Sequence, residues 1–395
     1  MEDANKPSLW SSGFTFVLAV SIVNATAFGS VNPLMPGFFI SIGATLTVTG
    51  IVTGMFSYIA LVGRFASILG DKRNKKHMLI IFLVVHGFFT LLYAFAPSIG
   101  WIIPLRIVRG LAFSISGTLI MSLGADYIPK ERMGEGVGFL GIGMVLGMAL
   151  GPNIGLAILS FFENNYPPLF IISGATIMFM GFVVILLRYK PAQQPVAEMS
   201  KFRFGDLIAV QLLPVAFITS AFAIGIGTTV SFLILMSNER GIANVGLYFL
   251  INSFVILLVR PMAGRLTDQK GVRFVVMPGF VFAACAMVVL GMVAATWHLI
   301  IAAVLAAFGS GIALPALQTE CIQRLGPAKR TVAIGTYLIG MDIGMGGGPV
   351  LGGAIADATG FGMSFFFAAA LAVLGFIAFF FYSARGKPEV YSQNE

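Results

Sequence analysis

The 395-residue chain is 58% hydrophobic and only 10% charged, with a mean hydropathy of +0.95. That excludes a water-soluble fold, because too little polar surface exists to cover so much apolar mass. The net charge of +8 comes from basic residues in loops on one side of a membrane, so no nucleic-acid partner is implied.

A helix crosses the hydrocarbon with about 20 apolar residues and satisfies its own backbone hydrogen bonds. Polar punctuation divides the chain into twelve such segments, at 11–38, 46–70, 77–97, 99–124, 136–161, 168–188, 207–236, 244–265, 274–295, 298–322, 332–356 and 361–383. The expected fold class is an all-α membrane protein of two six-helix halves, 1–190 and 207–395. A connector at 191–206, with Pro191, Pro195, Lys201 and Arg203, joins them. The first segment is too long for the apolar core of a signal peptide and lacks a small-residue cleavage site after it. Lys72, Arg73, Lys75 and Lys76, then Lys130 and Arg132, Lys270 and Arg273, and Lys329 and Arg330 fall in loops on one side, whereas the opposite loops hold only Arg240. The asymmetry predicts that both tails are cytoplasmic.

Taken in chain order, the first segment carries Asn24, Phe28, Asn32 and Met35 on one face, with Pro33 beside Asn32, and has no acidic residue. The second ends at Gly70-Asp71-Lys72-Arg73. The fourth begins Leu105-Arg106-Ile107-Val108-Arg109-Gly110. At about 1.5 Å per residue Arg109 lies near mid-membrane, where a charge must face the protein interior or a water-filled cavity. The fifth places Gly143, Gly147, Gly151 and Gly155 in one stripe, suited to close helix contact, and Pro152 bends it. The seventh offers Thr228, Thr229 and Phe232; the eighth offers Tyr248, Asn252 and Arg260 before Asp268. The tenth holds Gln318 and Glu320, with Arg324 four residues later at ion-pair spacing. The eleventh holds Tyr337 and, about ten residues in, Asp342, a functional candidate because an acid at that depth is costly.

The chain also repeats itself at an offset of 197 residues: Asp71 maps onto Asp268, Gly143 onto Gly340, Gly147 onto Gly344, and Gly151-Pro152 onto Gly348-Pro349. Duplication in so apolar a chain marks secondary transporters, whose repeats move about a shared midplane site. By the same geometry Asp71 and Asp268 stand level with the positive ends of the eleventh and fifth helices, a latch worth roughly 0.3–2 kcal/mol per contact.

The Asp71 and Asp268 loops both resemble the loop signature of the major facilitator superfamily: a glycine, three residues, an aspartate, then basic residues around a glycine. The second copy, Gly264 to Arg273, is the better match; the first has Ser67 and Asn74 in place of glycines. The fourth segment is similar to the superfamily's arginine-x-x-glutamine-glycine pattern, with Arg109 in place of glutamine. The glycine stripe ending in Gly151-Pro152-x-x-Gly155 resembles its antiporter motif. Arg260-Pro261-Met262-Ala263-Gly264 and Ala354 to Gly360 have the look of the bacterial twelve-helix drug:proton antiporters.

The resemblance implies a monomeric proton-coupled exporter of a small amphipathic molecule in a bacterial inner membrane, with no cofactor and the proton gradient as energy source. It implies that segments 1, 4, 7 and 10 line a central cavity. Asn24, Phe28, Asn32, Met35, Thr229, Phe232 and Gln318 would then line it, with Tyr248, Asn252 and Tyr337 added from segments 8 and 11. Arg106 would assist proton exchange with a carboxyl, for which Asp342 is the candidate, and Arg109 and Glu320 complete the charge network. Asp71, Arg73, Asp268 and Arg260 are expected to act with the glycine stripe in conformational change. Two alternatives stay open. The arginines of the fourth segment suit an organic-anion exchanger or metallophore exporter, and a transporter fold can also serve a non-transporting receptor or scaffold. No phosphate-binding loop, nucleophile–base pattern or metal-ligand spacing is present; His77, His86 and His298 are scattered. An enzyme is not expected.

Overall fold

The computed structural model describes residues 8–68, 74–129, 132–189, 209–326 and 329–384. Asp71, Arg73 and the 191–206 connector lie outside the described residues. Helices account for nearly all the rest: α1 (Ser12–Val31), α2 (Met35–Ser41), α3 (Leu46–Ile68), α4 (Lys75–Leu91), α5 (Ile99–Ala125), α6 (Met133–Phe161) and α7 (Tyr166–Val183). They continue as α8 (Leu213–Glu239), α9 (Gly246–Lys270), α10 (Val272–Gly291), α11 (Thr296–Leu325), α12 (Arg330–Thr359) and α13 (Phe361–Ala384). Among the described residues twelve helical spans are long and apolar enough to cross a membrane, as the sequence predicts.

Local chemistry sets the ends. Ser11 caps α1, its hydroxyl accepting from the Phe14 N–H at 3.2 Å, and Asn74 caps α4 by accepting from the Lys76 N–H at 3.1 Å. Pro33 tightens the first span into a short 3-10 turn, Asn32–Leu34, before α2 resumes. The eighth span runs five residues beyond its expected end at 265, through charged residues, and stops at Gly271, whose φ of 84° only glycine adopts without strain.

The helices cluster into two compact units. One comprises the described residues within Met1–Phe38 and Ile59–Glu198; the other comprises those within Phe39–Tyr58 and Met199–Glu395. In the first unit α1 packs on α6, α4 on α5 and α7, and α1 on α7. In the second α8 packs on α12, α10 on α11 and α13, and α8 on α13, the same pairs in the duplicated order. Lipid tails are as apolar as leucine, so what holds such helices together is close contact rather than exclusion of water. The glycine stripes supply it. A methyl group on Gly151 would sit 2.6 Å from the Gly29 carbonyl carbon, and one on Gly348 would run into the backbone of Ile224 and Gly227. Polar ties reinforce the packing: Ser30 and Ser173 hydroxyls at 3.0 Å, and Ser364 Oγ donating to the Gly352 carbonyl at 2.6 Å.

Large apolar side chains such as Phe161, Phe179 and Leu186 face outward, as a chain solvated by lipid allows. Trp101 and Trp297 are exposed near the starts of their spans, in corresponding halves.

Candidate functional site

Inside the first unit a polar cluster is assembled from α4, α5 and the 3-10 turn Leu92–Phe95 that follows α4. Arg106 and Arg109 stand one turn apart on α5, and both are 0% exposed. The Arg109 Nε donates to Thr90 Oγ1 at 2.9 Å, and Thr90 Oγ1 donates to the His86 carbonyl at 2.7 Å. The Arg109 guanidinium lies 5.5 Å from the Tyr93 ring centroid and 5.7 Å from that of Phe28, inside cation–π range. Phe28 stacks on Phe113 at 4.0 Å, and the His86 ring meets Phe113 edge-on at 5.5 Å. His86 is fully buried, and neither ring nitrogen has a hydrogen-bond partner. Asn24 is also buried, its side-chain oxygen unpartnered on the α1 face that carries Phe28.

Sequence reasoning selected Arg106, Arg109, Phe28 and Asn24 and passed over His86, Thr90, Tyr93 and Phe113. The missed signal was periodicity. His86, Thr90 and Tyr93 recur at helical spacing in an otherwise apolar stretch, which puts three polar side chains on one face.

In the second unit Asp342 sits twelve residues into the 30-residue α12 and is 5% exposed, the only acid among the described buried side chains. Phe232 and Tyr337 are buried; Thr229 Oγ1 donates to the Gly225 carbonyl at 2.8 Å. Tyr248 is buried against Phe249, and Asn252 Nδ2 donates to the Ala303 carbonyl at 3.1 Å, tying α9 to α11. Gln318 and Asn32 are half-buried, and Met35 is buried. Glu320 accepts from Arg324 Nε at 2.7 Å, and Arg324 in turn lies 4.0 Å over the Tyr382 ring, so Glu320 is held in a local pair. Arg260 and Asp268 are exposed on α9. Gly143 and Gly147 face α1 with Gly151, and Gly155 abuts Ser30 beyond Pro152, which lies inside α6.

At one end of the first unit, Lys75 bridges both Asp126 carboxylate oxygens at 3.0 and 2.9 Å, and the Tyr189 hydroxyl donates to Asp126 at 2.9 Å. Burial, and after it the carboxylate, push the Tyr189 hydroxyl above its ordinary range, so it remains a donor at neutral pH.

A duplicated set of apolar spans, glycine-on-backbone helix pairs and charges buried at mid-span describe a secondary membrane transporter. The sequence profile of the Major Facilitator Superfamily matches residues 17–242 and 215–395, and the chain belongs to that family. It is a multi-pass membrane transporter, not an enzyme. The chain is 23% identical to an uncharacterised MFS-type transporter of Methanocaldococcus jannaschii, over 94% of this chain and 96% of that one. It is 25% identical to the multidrug resistance protein MdtG of Enterobacter lignolyticus, over 91% and 90%, and 26% identical to MdtG of Escherichia fergusonii, over 93% of each. Among solved structures it is similar to a bacterial homologue of the human lysosomal transporter Spinster, with TM-score 0.79, 15% identity and coverage of 97% and 100%. It is also similar to the nucleoside transporter NupG, with TM-score 0.76, 13% identity and coverage of 95% and 100%.

Proposed function

We propose that the chain exports small amphipathic molecules in exchange for protons, by alternating access. It works as a monomer in a bacterial inner membrane, with both tails cytoplasmic and the proton gradient as its energy source. The observation that carries the proton coupling is Asp342, a buried carboxylate near the middle of α12. An acid in that position gains or loses a proton at far lower cost than it carries a permanent charge. Export is supported by the glycine stripe on α6 and by the names of the MdtG relatives. The amide and aromatic side chains of α1, α8 and α9 suit an amphipathic cargo. Flux into inverted, energised vesicles tests the reading: wild type accumulates substrate with alkalinisation of the lumen, and Asp342→Asn binds substrate but no longer moves protons. Coupling that survives in the folded Asp342→Asn protein sinks it.

A further inference from the structure

We propose that the cluster of Arg106, Arg109, His86 and Tyr93 binds an anionic group of the transported molecule, a carboxylate, phosphate or sulfonate carried on an aromatic or apolar body. The proposal rests on the transport reading above only in taking that ligand to be cargo.

The duplication supplies an internal control. At the 197-residue offset, Arg106 corresponds to Ala303, Arg109 to Ala306, His86 to Ala283, Thr90 to Met287 and Tyr93 to Leu290. In the second unit these positions are apolar: Ala303 and Leu290 are 0% exposed, Ala283 and Met287 are buried, Met287 against Gly225 and Thr229 of α8, and Ala306 is half-buried. The same helix pairs pack in both units. The same helix packing therefore forms without guanidinium, imidazole or phenol at these places, so packing alone does not require those groups in the first unit. Burying two guanidiniums costs several kcal/mol in desolvation, a cost that a purely structural site can avoid by carrying alanine.

The geometry selects an anion. Both buried charges of the first unit, among the described residues, are cationic. His86 adds a buried ring whose nitrogens have no hydrogen-bond partner, which is expensive unless an incoming group completes it. Arg109 is oriented before any ligand arrives: Thr90 fixes its Nε edge, and the Tyr93 and Phe28 rings flank its plane. A pre-set planar fork matches two oxygens of a carboxylate, phosphate or sulfonate. The neighbouring rings, Phe28 stacked on Phe113, offer an apolar wall to the rest of the molecule.

The test uses the purified full-length chain in lipid nanodiscs and titrates a matched series by calorimetry: 2-naphthoate, 2-naphthyl phosphate, 2-naphthalenesulfonate, the neutral 2-naphthamide and a cationic naphthylmethylammonium. At least one anion is expected to bind ten-fold or more tightly than the amide, the ammonium least of all, and the three anionic arms show which acid is preferred. Arg109→Ala and His86→Ala, each installing the residue that the second unit already uses, are expected to weaken the preferred anion by ten-fold or more and leave the amide unchanged. If Arg109→Ala does not fold, Arg109→Gln and Arg109→Lys replace it, and lysine is expected to retain part of the anion preference. Anions that bind no better than the amide, or anion affinity unchanged in folded Arg109 and His86 variants, overturn the proposal. Flux of the same compounds in proteoliposomes separates the two readings. Anion binding without flux of any compound defeats the transport reading and leaves the site standing. Flux of cations with no anion preference does the reverse.

Discussion

The core between α4 and α5 and the core between α10 and α11 are built on one plan and filled with different chemistry. In one, Arg106, Arg109 and His86 are buried among Tyr93, Phe28 and Phe113; in the other, the corresponding Ala303, Ala283 and Leu290 of the set are buried alkyl groups. The single buried acid among the described residues shows the opposite asymmetry, Asp342 in α12 against Val145 at the matching place in α6. Where the halves agree, as in the glycine stripes, the residues answer to helix packing. Where they disagree over a buried charge, helix packing does not demand that charge, and it is at these positions that the proposals above place chemistry.

The most disruptive way to break the comparison is to move a charge across it. Ala303→Arg places a guanidinium in the apolar core of the second unit, at a cost of about 3 kcal/mol or more. The expected outcome is loss of monodisperse protein by size-exclusion chromatography; a well-folded variant would show that either core tolerates the charge. Asp342→Asn comes next, with proton movement lost while the thermal midpoint changes little, read by lumen pH in vesicles alongside a melting curve. The glycine stripes should respond alike in both halves: Gly151→Ala and Gly348→Ala each press a methyl group onto helix backbone and are expected to destabilise by about 1–3 kcal/mol in denaturant titration. A large effect in one half and none in the other would end the equivalence. Smallest of all, Lys75→Met removes the Lys75–Asp126 bridge, whose counterpart positions in the second unit are Val272 and Gln323. A part-exposed pair of this kind is worth about 0–1 kcal/mol, so the melting midpoint should barely move.

Much of the fold was readable because hydrocarbon imposes length and apolarity on every span, and the repeat fixes which spans correspond. The segment ends were less readable. Asp268 and Lys270 looked like a loop, yet α9 runs through them because charge does not stop a helix, whereas the positive φ of Gly271 does. Arg106, Arg109 and Asp342 stood out because a charge in an apolar segment is conspicuous by itself. His86 did not, since a neutral imidazole is inconspicuous by itself; its spacing with Thr90 and Tyr93 marks a polar face in the sequence, but that this face meets Phe113 is tertiary information. The Glu320–Arg324 pair was legible because it is local to one helix, and Asn252 was not, because its partner is a carbonyl on α11.

The glycine contacts have a last consequence. Where α6 meets α1 and α12 meets α8, main chain lies against main chain, so the fit does not depend on rotamers and cannot be restored by repacking a neighbour. A saturation-mutagenesis map should therefore show two columns of near-total intolerance, in step with each other along the chain, with few second-site suppressors in either.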